Sequence, residues 1–447
     1  MNNIFINKSK KLLLAFLKEP GGFSFFPSSF FWWNNIWNKD LEKSYKNFFN
    51  SKYYDLKDSY NKVNLYIHIP FCTKICSYCN CFKKKLQEKE EIDKYLNYLE
   101  KEIILIYNLN NKKKININTI FIWWWTPNLL NIEQFDKLYA IIIKYFSLQD
   151  LEQFLIDWHP NYYSKEKLEF LKSIWVNRVT FAIQSFNNNV LLKNNRDIYN
   201  LNLLNNNIKF ANKIWLKINI DLLIWLKWQN FEIVKNDFQI LEKLDIDNIS
   251  VHYLMQSNNI DYSLDNNFSN LIKKTKTYLK ENKIPNFSSN YLENNYASKI
   301  NTTLSIWASA ITNIYSELIC IKPNVNLYYN QLDRLEIPVK LWMKLSKRDE
   351  MVRFIYLNIL YWINIDLFFV LFNENIFKYF NVEFRYLNSN WIIRINDWII
   401  YSNNSDLDTL TYFNIFFIEK VRDLELNDYD EKELGNFFLD SWELIDK

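Results

Sequence analysis

The chain has 447 residues, enough for two or three domains around a large core. Its 54 Lys and Arg against 50 Asp and Glu leave a net charge of only +4, which gives no sign of a nucleic-acid partner. No apolar stretch reaches the ~18–20 residues of a membrane span, and the basic start KSKKLLLAFLKEP has too short an apolar core for a signal peptide, so a cytoplasmic location is expected. Residues 1–60 are aromatic-rich and irregular, an N-terminal extension with a Pro-Gly-Gly turn at 20–22. From Asn64 short β-type runs (LYIHI, TIFI, FLI, RVTFAI, KINIDLLI, NISVHYL) alternate with helix-like segments such as DKYLNYLEKEIILIY and EQFDKLYAIIIKYF. Repeated βα units predict an α/β core with a parallel sheet, either doubly wound or a full or partial barrel. Near residue 330 the pattern changes: KRDEMVRFIYLNIL reads as a helix and WIIRINDWIIYS as a hairpin about Asn396-Asp397, which predicts a small separate α+β domain over 331–447.

Four of the five cysteines fall within ten residues, at Cys72, Cys76, Cys79 and Cys81. In a reduced compartment such crowding argues for a metal site over disulfides. The segment YIHIPFCTKICSYCNC, residues 66–81, follows a strand and presents C-x3-C-x2-C on one loop. Three thiolates can hold three irons of a 4Fe–4S cubane and leave the fourth open for a chelating amino and carboxylate group. Zinc is the competing reading, but structural zinc sites take four ligands in paired knuckles, and no second pair appears. The basic runs at 83–85 and 112–114 read as solvated loops.

Glycine is the anomaly. Ordinary usage of about 7% would give roughly 31 glycines in a chain of this length; there are three, beside 17 tryptophans. Phe121 to Leu130 read FIWWWTPNLL, three indoles at a strand end where small turn residues belong.

Y-x-H-I-P-F-C-x3-C-x-Y-C-x-C resembles the opening motif of the radical S-adenosylmethionine (SAM) family, in the branch of oxygen-independent coproporphyrinogen III oxidase and its haem-chaperone relatives. WWWTP stands where that branch has G-G-G-T-P; WVNRVTFAIQSF, IDLLIWLKWQ and SIWASAIT match its G-V-N-R…Q-S-F, I-D-L-I-x-G-L-P-G-Q and G-x-G-A-x-S-like segments. Tryptophan repeatedly occupies a family glycine position, at Trp175, Trp225, Trp228 and Trp307 among others. The resemblance implies that UGA is a glycine codon in the gene, rendered here as tryptophan. A strand-end loop that meets a cofactor's amino-acid group needs residues without a Cβ, which agrees.

The resemblance covers residues 60–330 strongly and 340–410 more weakly. It implies a core over 61–330 built as a partial (β/α) barrel of the radical SAM type, with a winged-helix-like C-terminal domain. It implies Cys72, Cys76 and Cys79 as iron ligands, with Tyr66, Tyr78, Trp124, Trp125 and Thr126 near SAM. Asp157 stands at the place of a ribose-binding Glu, one methylene shorter. Gln184, Arg196 and Asp221 match further polar contacts, Arg196 suiting a carboxylate through two parallel hydrogen bonds. Met255 and Ile311 align with residues lining a second SAM. His68 belongs to the motif, with a structural or cluster-adjacent role; His159 and His252 read as core or surface histidines.

The implied cofactors are thus a 4Fe–4S cluster and one or two SAM molecules, and the implied partners a porphyrinogen or haem and a reducing electron-donor protein. The implied reaction is oxidative decarboxylation of two coproporphyrinogen III propionates to vinyls through a 5′-deoxyadenosyl radical. Cys81 favours it, since the oxidases carry C-x-C after the last cluster ligand. The alternatives are a haem chaperone of the same branch or another porphyrin-acting radical enzyme.

Overall fold

The computed structural model describes residues 38–50, 63–79, 82–123, 129–253 and, between short gaps, most of 256–402. Trp33–Lys344 form one compact unit; Met1–Trp32 with Leu345–Lys447 form a second. In the larger unit the strands are β1 (Val63–His68), β2 (Thr119–Trp123), β3 (Gln153–Trp158), β4 (Arg178–Gln184), β5 (Lys217–Ile224), β6 (Asn248–Tyr253), β7 (Phe287–Ser288), β8 (Thr302–Ile306), β9 (Ile311–Ile314), β10 (Glu317–Ile321) and β11 (Val339–Lys344). They lie in the order β7-β6-β5-β4-β3-β2-β1-β8-β9-β10-β11. Pairing is parallel from β7 to β8 and antiparallel from there to β11.

Helix α1 (Asn38–Phe49) precedes β1, and α2 (Glu90–Leu109), α3 (Ile132–Tyr145), α4 (Lys165–Ser173), α5 (Asn188–Lys193), α6 (Leu201–Lys213), α7 (Phe231–Leu241) and α8 (Asn266–Glu281) fill the crossovers up to β7. Helix α9 (Val325–Asp333) precedes β11. Each strand from β1 to β7 is laid beside its predecessor in one direction. With right-handed crossovers this puts every connecting helix on one face and curls the sheet into a partial (β/α) barrel, whereas a doubly wound sheet reverses direction midway.

The predicted strands and helices of the core appear within about three residues of their expected bounds. One expectation fails: the first 60 residues are not irregular throughout. Helix α1 buries Tyr45, Phe48 and Phe49 in the main core, so its aromatics are packing residues.

The strands alternate with period two. Leu65, Ile67, Ile120, Ile122, Ile156, Val179, Phe181, Ile218, Ile220, Val251 and Leu304 are buried in the apolar core. The intervening Asn64, Tyr66, Asp157, Thr180, Asn219, Asp221, Asn248, Ser250 and Ser305 are polar, and all but Tyr66 are buried. The register aligns them: Tyr66 with Ser305, Asp157 with Thr180, and Asp221 with Ser250. A sheet with one greasy and one polar buried face needs helices over the first and a ligand-bearing interior along the second.

Glu102 on α2 is also fully buried, and Tyr328 on α9 donates its hydroxyl to Oε2 at 2.6 Å. Burial pushes the carboxyl up to about 8, the Tyr328 bond working the other way. A carboxyl held higher in the fold than in the unfolded chain contributes stability that is complete below its ordinary value of 4.5 and is lost as pH rises through about 8. Glu102→Gln keeps the acceptor and removes the titration. Thermal melts of the variant are therefore expected to depend less on pH between about 5 and about 8 than those of the wild type; parallel curves would contradict this.

The described part of the second unit is α+β. Helices α10 (Lys347–Asn358), α11 (Ile365–Phe372), α12 (Ile376–Tyr379) and α13 (Asn381–Ser389) accompany β12 (Ile363–Asn364), β13 (Ile393–Asn396) and β14 (Ile399–Ser402), antiparallel in the order β12-β14-β13. The predicted hairpin is β13–β14, and Asn396 pairs with Ile399. Asp397 and Trp398, between the two strands in sequence, lie outside the described residues.

The backbone isolates the tryptophans further. Among the described residues ten non-glycines have positive φ, four of them Trp: Trp175 (71°), Trp215 (63°), Trp225 (81°) and Trp228 (70°). Bulky residues rarely take this conformation, because the Cβ crowds the carbonyl. Trp175 and Trp215 sit just past the ends of α4 and α6, where Val176 N–H reaches back to Leu171 C=O and Leu216 N–H to Ala211 C=O. That closure asks for glycine or asparagine, and Asn111 and Asn195 fill the same place after α2 and α5. Trp228 is third in a turn closed by Gln229 N–H to Leu226 C=O, a position that with positive φ belongs to glycine. Glycines 21, 22 and 435 all lie outside the described residues.

Candidate functional site

The cysteine loop leaves the carboxyl end of β1, the rim on which barrels build sites. Phe71–Cys72 pair in parallel with Lys84–Lys85, and Leu86 N–H donates to Cys72 C=O at 2.9 Å, so the base of the loop is stitched shut. A tight turn brings Cys79 N–H to Cys76 C=O at 3.2 Å. Cys72 and Cys76 are buried and Cys79 is half-buried. They line one cavity together with Lys83, His159, Tyr162 and Arg196.

Among the described residues no three His, Cys, Asp or Glu side chains form a group for a single metal ion. One ion needs its donors about 2.3 Å from a common point; a cubane takes one thiolate at each of three irons.

Arg196 stands at the centre. It is 1% exposed, the largest fully buried side chain among the described residues. Its Nη1 donates to Cys76 Sγ at 3.7 Å and to Tyr78 Oη at 3.3 Å, and Nη2 donates to Ala182 C=O. Tyr78 is buried between the thiols and Val190, Leu223 and Leu226. Burial drives its phenol well above the ordinary value, and Arg196 opposes this.

The carboxylates occupy the polar face of the sheet. Asp221 on β5 accepts from Asn219 Nδ2 at 2.7 Å, and Asn219 Oδ1 accepts from Asn248 Nδ2 at 2.5 Å and Ser250 Oγ at 3.2 Å. Burial raises the Asp221 carboxyl, with His252, Asn219, Ser250 and Arg196 pulling it down. Burial raises the Tyr163 phenol, and the negative charges of Asp157 and Asp221 add to this. Gln184 ends β4 at a register shift with φ of 69°, and its Oε1 is buried without a hydrogen-bond partner among the described residues.

Tyr66 is half-buried against Phe121 and Trp307. His68 meets Phe82 C=O through Nε2 at 3.0 Å, and burial pushes it down to about 3, so it is a neutral strut. Trp307 has no positive φ; its ring packs 4.0 Å from that of His68. Of the remaining expected residues, Trp124, Trp125, Thr126, Met255 and Cys81 lie outside the described residues. Ile311 pairs with Cys320 at the start of β9, and its side chain is not among those described.

Sequence reasoning passed over several residues. His159 is the buried, hydrogen-bonded histidine expected, its Nδ1 accepting Asn161 N–H at 3.3 Å, but it also lines the thiol cavity. Burial, then Arg196, holds it well below the ordinary histidine value. Asp237 on α7 accepts from Ser185 Oγ and Phe186 N–H, both at 2.8 Å, and fixes the turn after Gln184. Burial pushes its carboxyl up to about 7. Nothing near Asp237 in sequence signals this, since its partners lie about fifty residues away.

The radical SAM superfamily matches residues 66–234. That stretch is a radical SAM domain. It runs from β1 through the start of α7 and contains the thiol loop, Asp157, Gln184, Arg196 and Asp221. A heme chaperone HemW of Bacillus subtilis is 34% identical over 196 residues, 42% of this chain and 50% of that protein. An oxygen-independent coproporphyrinogen III oxidase of Synechocystis is 29% identical over 195 residues, 42% of this chain and 40% of that protein. The chain thus spans about half the length of the curated relatives it matches. The fold matches the coproporphyrinogen III oxidase HemN of Escherichia coli with a TM-score of 0.74 at 18% identity, over 91% of this chain and 98% of that one. No helix among the described residues is long and apolar enough to cross a membrane.

Radical SAM proteins use a 4Fe–4S cluster and SAM, and the residues present suit both. Three thiols line one cavity, Arg196 links Cys76 Sγ to Asp221 on the buried polar sheet face, and the Gln184 amide oxygen has no hydrogen-bond partner among the described residues.

Proposed function

We propose that Cys72, Cys76 and Cys79 hold a 4Fe–4S cluster and that Tyr66, Tyr78, Asp157, Gln184, Arg196 and Asp221 hold SAM beside it, with Trp124, Trp125, Thr126, Met255 and Ile311 as further contacts. We read the activity as oxygen-independent coproporphyrinogen III oxidase, removing two propionate carboxyls as carbon dioxide to leave vinyls. When bound, these groups supply a reducing electron and a carbon-centred radical, which the cofactor chemistry provides and the protein positions.

The single observation that supports this reading is the buried Arg196, whose Nη1 donates to Cys76 Sγ of the thiol loop while its charge acts on Asp221 of the polar sheet face. Asp221, with Asn219, Asn248 and Ser250 locked behind it, presents a fixed acceptor for hydroxyl or ammonium groups. Arg196 presents a fixed cation to a carboxylate or a sulfur. The burial of these groups excludes water, which strengthens each such contact and protects a reactive radical. His68, neutral at any physiological pH, holds the loop's return strand through Phe82.

The second reading is a haem chaperone, favoured by the higher identity of the Bacillus relative. An anaerobic assay of the reconstituted protein with coproporphyrinogen III and SAM separates the two. Formation of a three-carboxylate intermediate and then protoporphyrinogen IX is expected. Tight haem binding without turnover would overturn the oxidase reading.

A further inference from the structure

Helix α5 ends in a closed turn, with Arg196 N–H donating to Leu191 C=O at 2.9 Å and Asn195 at φ 53°. The four residues from Asn194 to Asp197 then meet Lys74–Tyr78 of the thiol loop almost one to one. Ser77 N–H donates to Asn194 C=O at 3.0 Å, and Asn195 Nδ2 to Ile75 C=O at 2.7 Å. Lys74 Nζ donates to Asp197 Oδ1 at 3.0 Å. Asn194 is itself anchored, its Nδ2 donating to Val190 C=O at 2.7 Å and Lys227 C=O at 3.0 Å. These contacts hold the loop's main chain and flank. Arg196 alone of the four reaches a thiol, at Cys76 Sγ.

We propose that Arg196 is a positioning residue for the iron–sulfur cluster, donating an N–H to the Cys76 sulfur and thereby raising the cluster's reduction potential, while Asn194, Asn195 and Asp197 clamp the loop that presents that sulfur. This rests on the reading of Cys72, Cys76 and Cys79 as cluster ligands. Reduction adds negative charge to the cluster and its sulfurs. A cation with an N–H directed at one of those sulfurs stabilises the reduced form more than the oxidised one, and hydrogen bonds to sulfur are among the factors that set such potentials. Because Arg196 and Cys76 are both buried, solvent screens little of the effect. The planar guanidinium divides its donors, with Nη1 serving the thiol and the phenol while Nη2 is held by Ala182 C=O, an arrangement one ammonium group reproduces poorly.

The test is a SAM-free redox titration, followed by electron paramagnetic resonance, of the anaerobically reconstituted full chain, as wild type, Arg196→Gln and Arg196→Lys. Iron and sulfide are counted in each, and folding is checked by circular dichroism. The expected result is a more negative midpoint in Arg196→Gln at unchanged cluster content, with a smaller shift of the same sign in Arg196→Lys. An arginine serving only a SAM carboxylate leaves the SAM-free midpoint where it was. A full cluster with an unchanged midpoint in Arg196→Gln therefore overturns the proposal. Should Arg196→Gln fail to fold, an unchanged midpoint in Arg196→Lys does the same. A wild-type chain that takes up no such cluster instead removes the reading beneath it.

Discussion

Glycine at positions 175, 215 and 228 together is expected to raise the stability of the larger unit by about 1.5 kcal/mol. Relief of a left-handed Cβ is worth about 1–2 kcal/mol per site, and the extra freedom of an unfolded glycine removes about 0.5–1 of it. Little packing is lost in exchange, because the three indoles are 72%, 84% and 72% exposed. Lys193 Nζ lies 5.3 Å from the Trp228 ring, a contact at an exposed site worth about 0.5–1 kcal/mol. Set against a typical total of about 5–15 kcal/mol, the net gain is a measurable fraction. Urea unfolding of the triple variant beside the chain as written measures it; an unchanged or lowered midpoint would contradict the strain argument. Trp225, half-buried at φ 81°, is left in place so that no cavity confounds the result.

The same geometry bears on the natural gene product. Among the described helix ends closed in this way two carry asparagine, two carry tryptophan and one carries Leu335, a spread the backbone gives no reason for. The codons at 175, 215, 225 and 228 are expected to be UGA, and the intact mass of the protein from its own cells is expected to show glycine there. UGG codons, or a mass that fits 17 indoles, would contradict this.

Cys76→Ala is expected to abolish SAM cleavage. With one of three thiolates gone, an iron loses its only protein ligand, and the cavity keeps Arg196 without the sulfur it faces. A buried cation stripped of an anionic partner also costs stability, on the order of a few kcal/mol. Iron, sulfide and 5′-deoxyadenosine measured together check this. Retention of full iron and turnover in Cys76→Ala would remove the thiol from the ligand set.

Much of the core is legible from local chemistry. Period-two runs bounded by longer amphipathic stretches gave β1 to β6 within a few residues, because strands in a parallel sheet must be apolar on the helix side. The polar half of the alternation, from Asn64 to Ser250, was readable in principle as an interior lined with hydrogen-bonding groups. The sense of the sheet was not, since only the spatial order of strands separates a barrel from a doubly wound sheet. The thiol loop was legible because its three cysteines fall within one short segment, Cys72 to Cys79. The groups that hold it were hidden: His159, Asn195 and Asp197 lie roughly 80–120 residues away and look like ordinary loop residues until the fold brings them to the cavity. Helix α1 was missed because aromatic crowding masks its amphipathic face.

The most direct measurement is the electron paramagnetic resonance of the dithionite-reduced, anaerobically reconstituted protein, recorded before and after SAM is added. The expected result is about four iron and four sulfide per chain and a cluster signal that changes when SAM binds at the open iron. A chain that takes up no iron and sulfide, or whose signal is indifferent to SAM, would contradict a three-thiol cluster with a vacant corner.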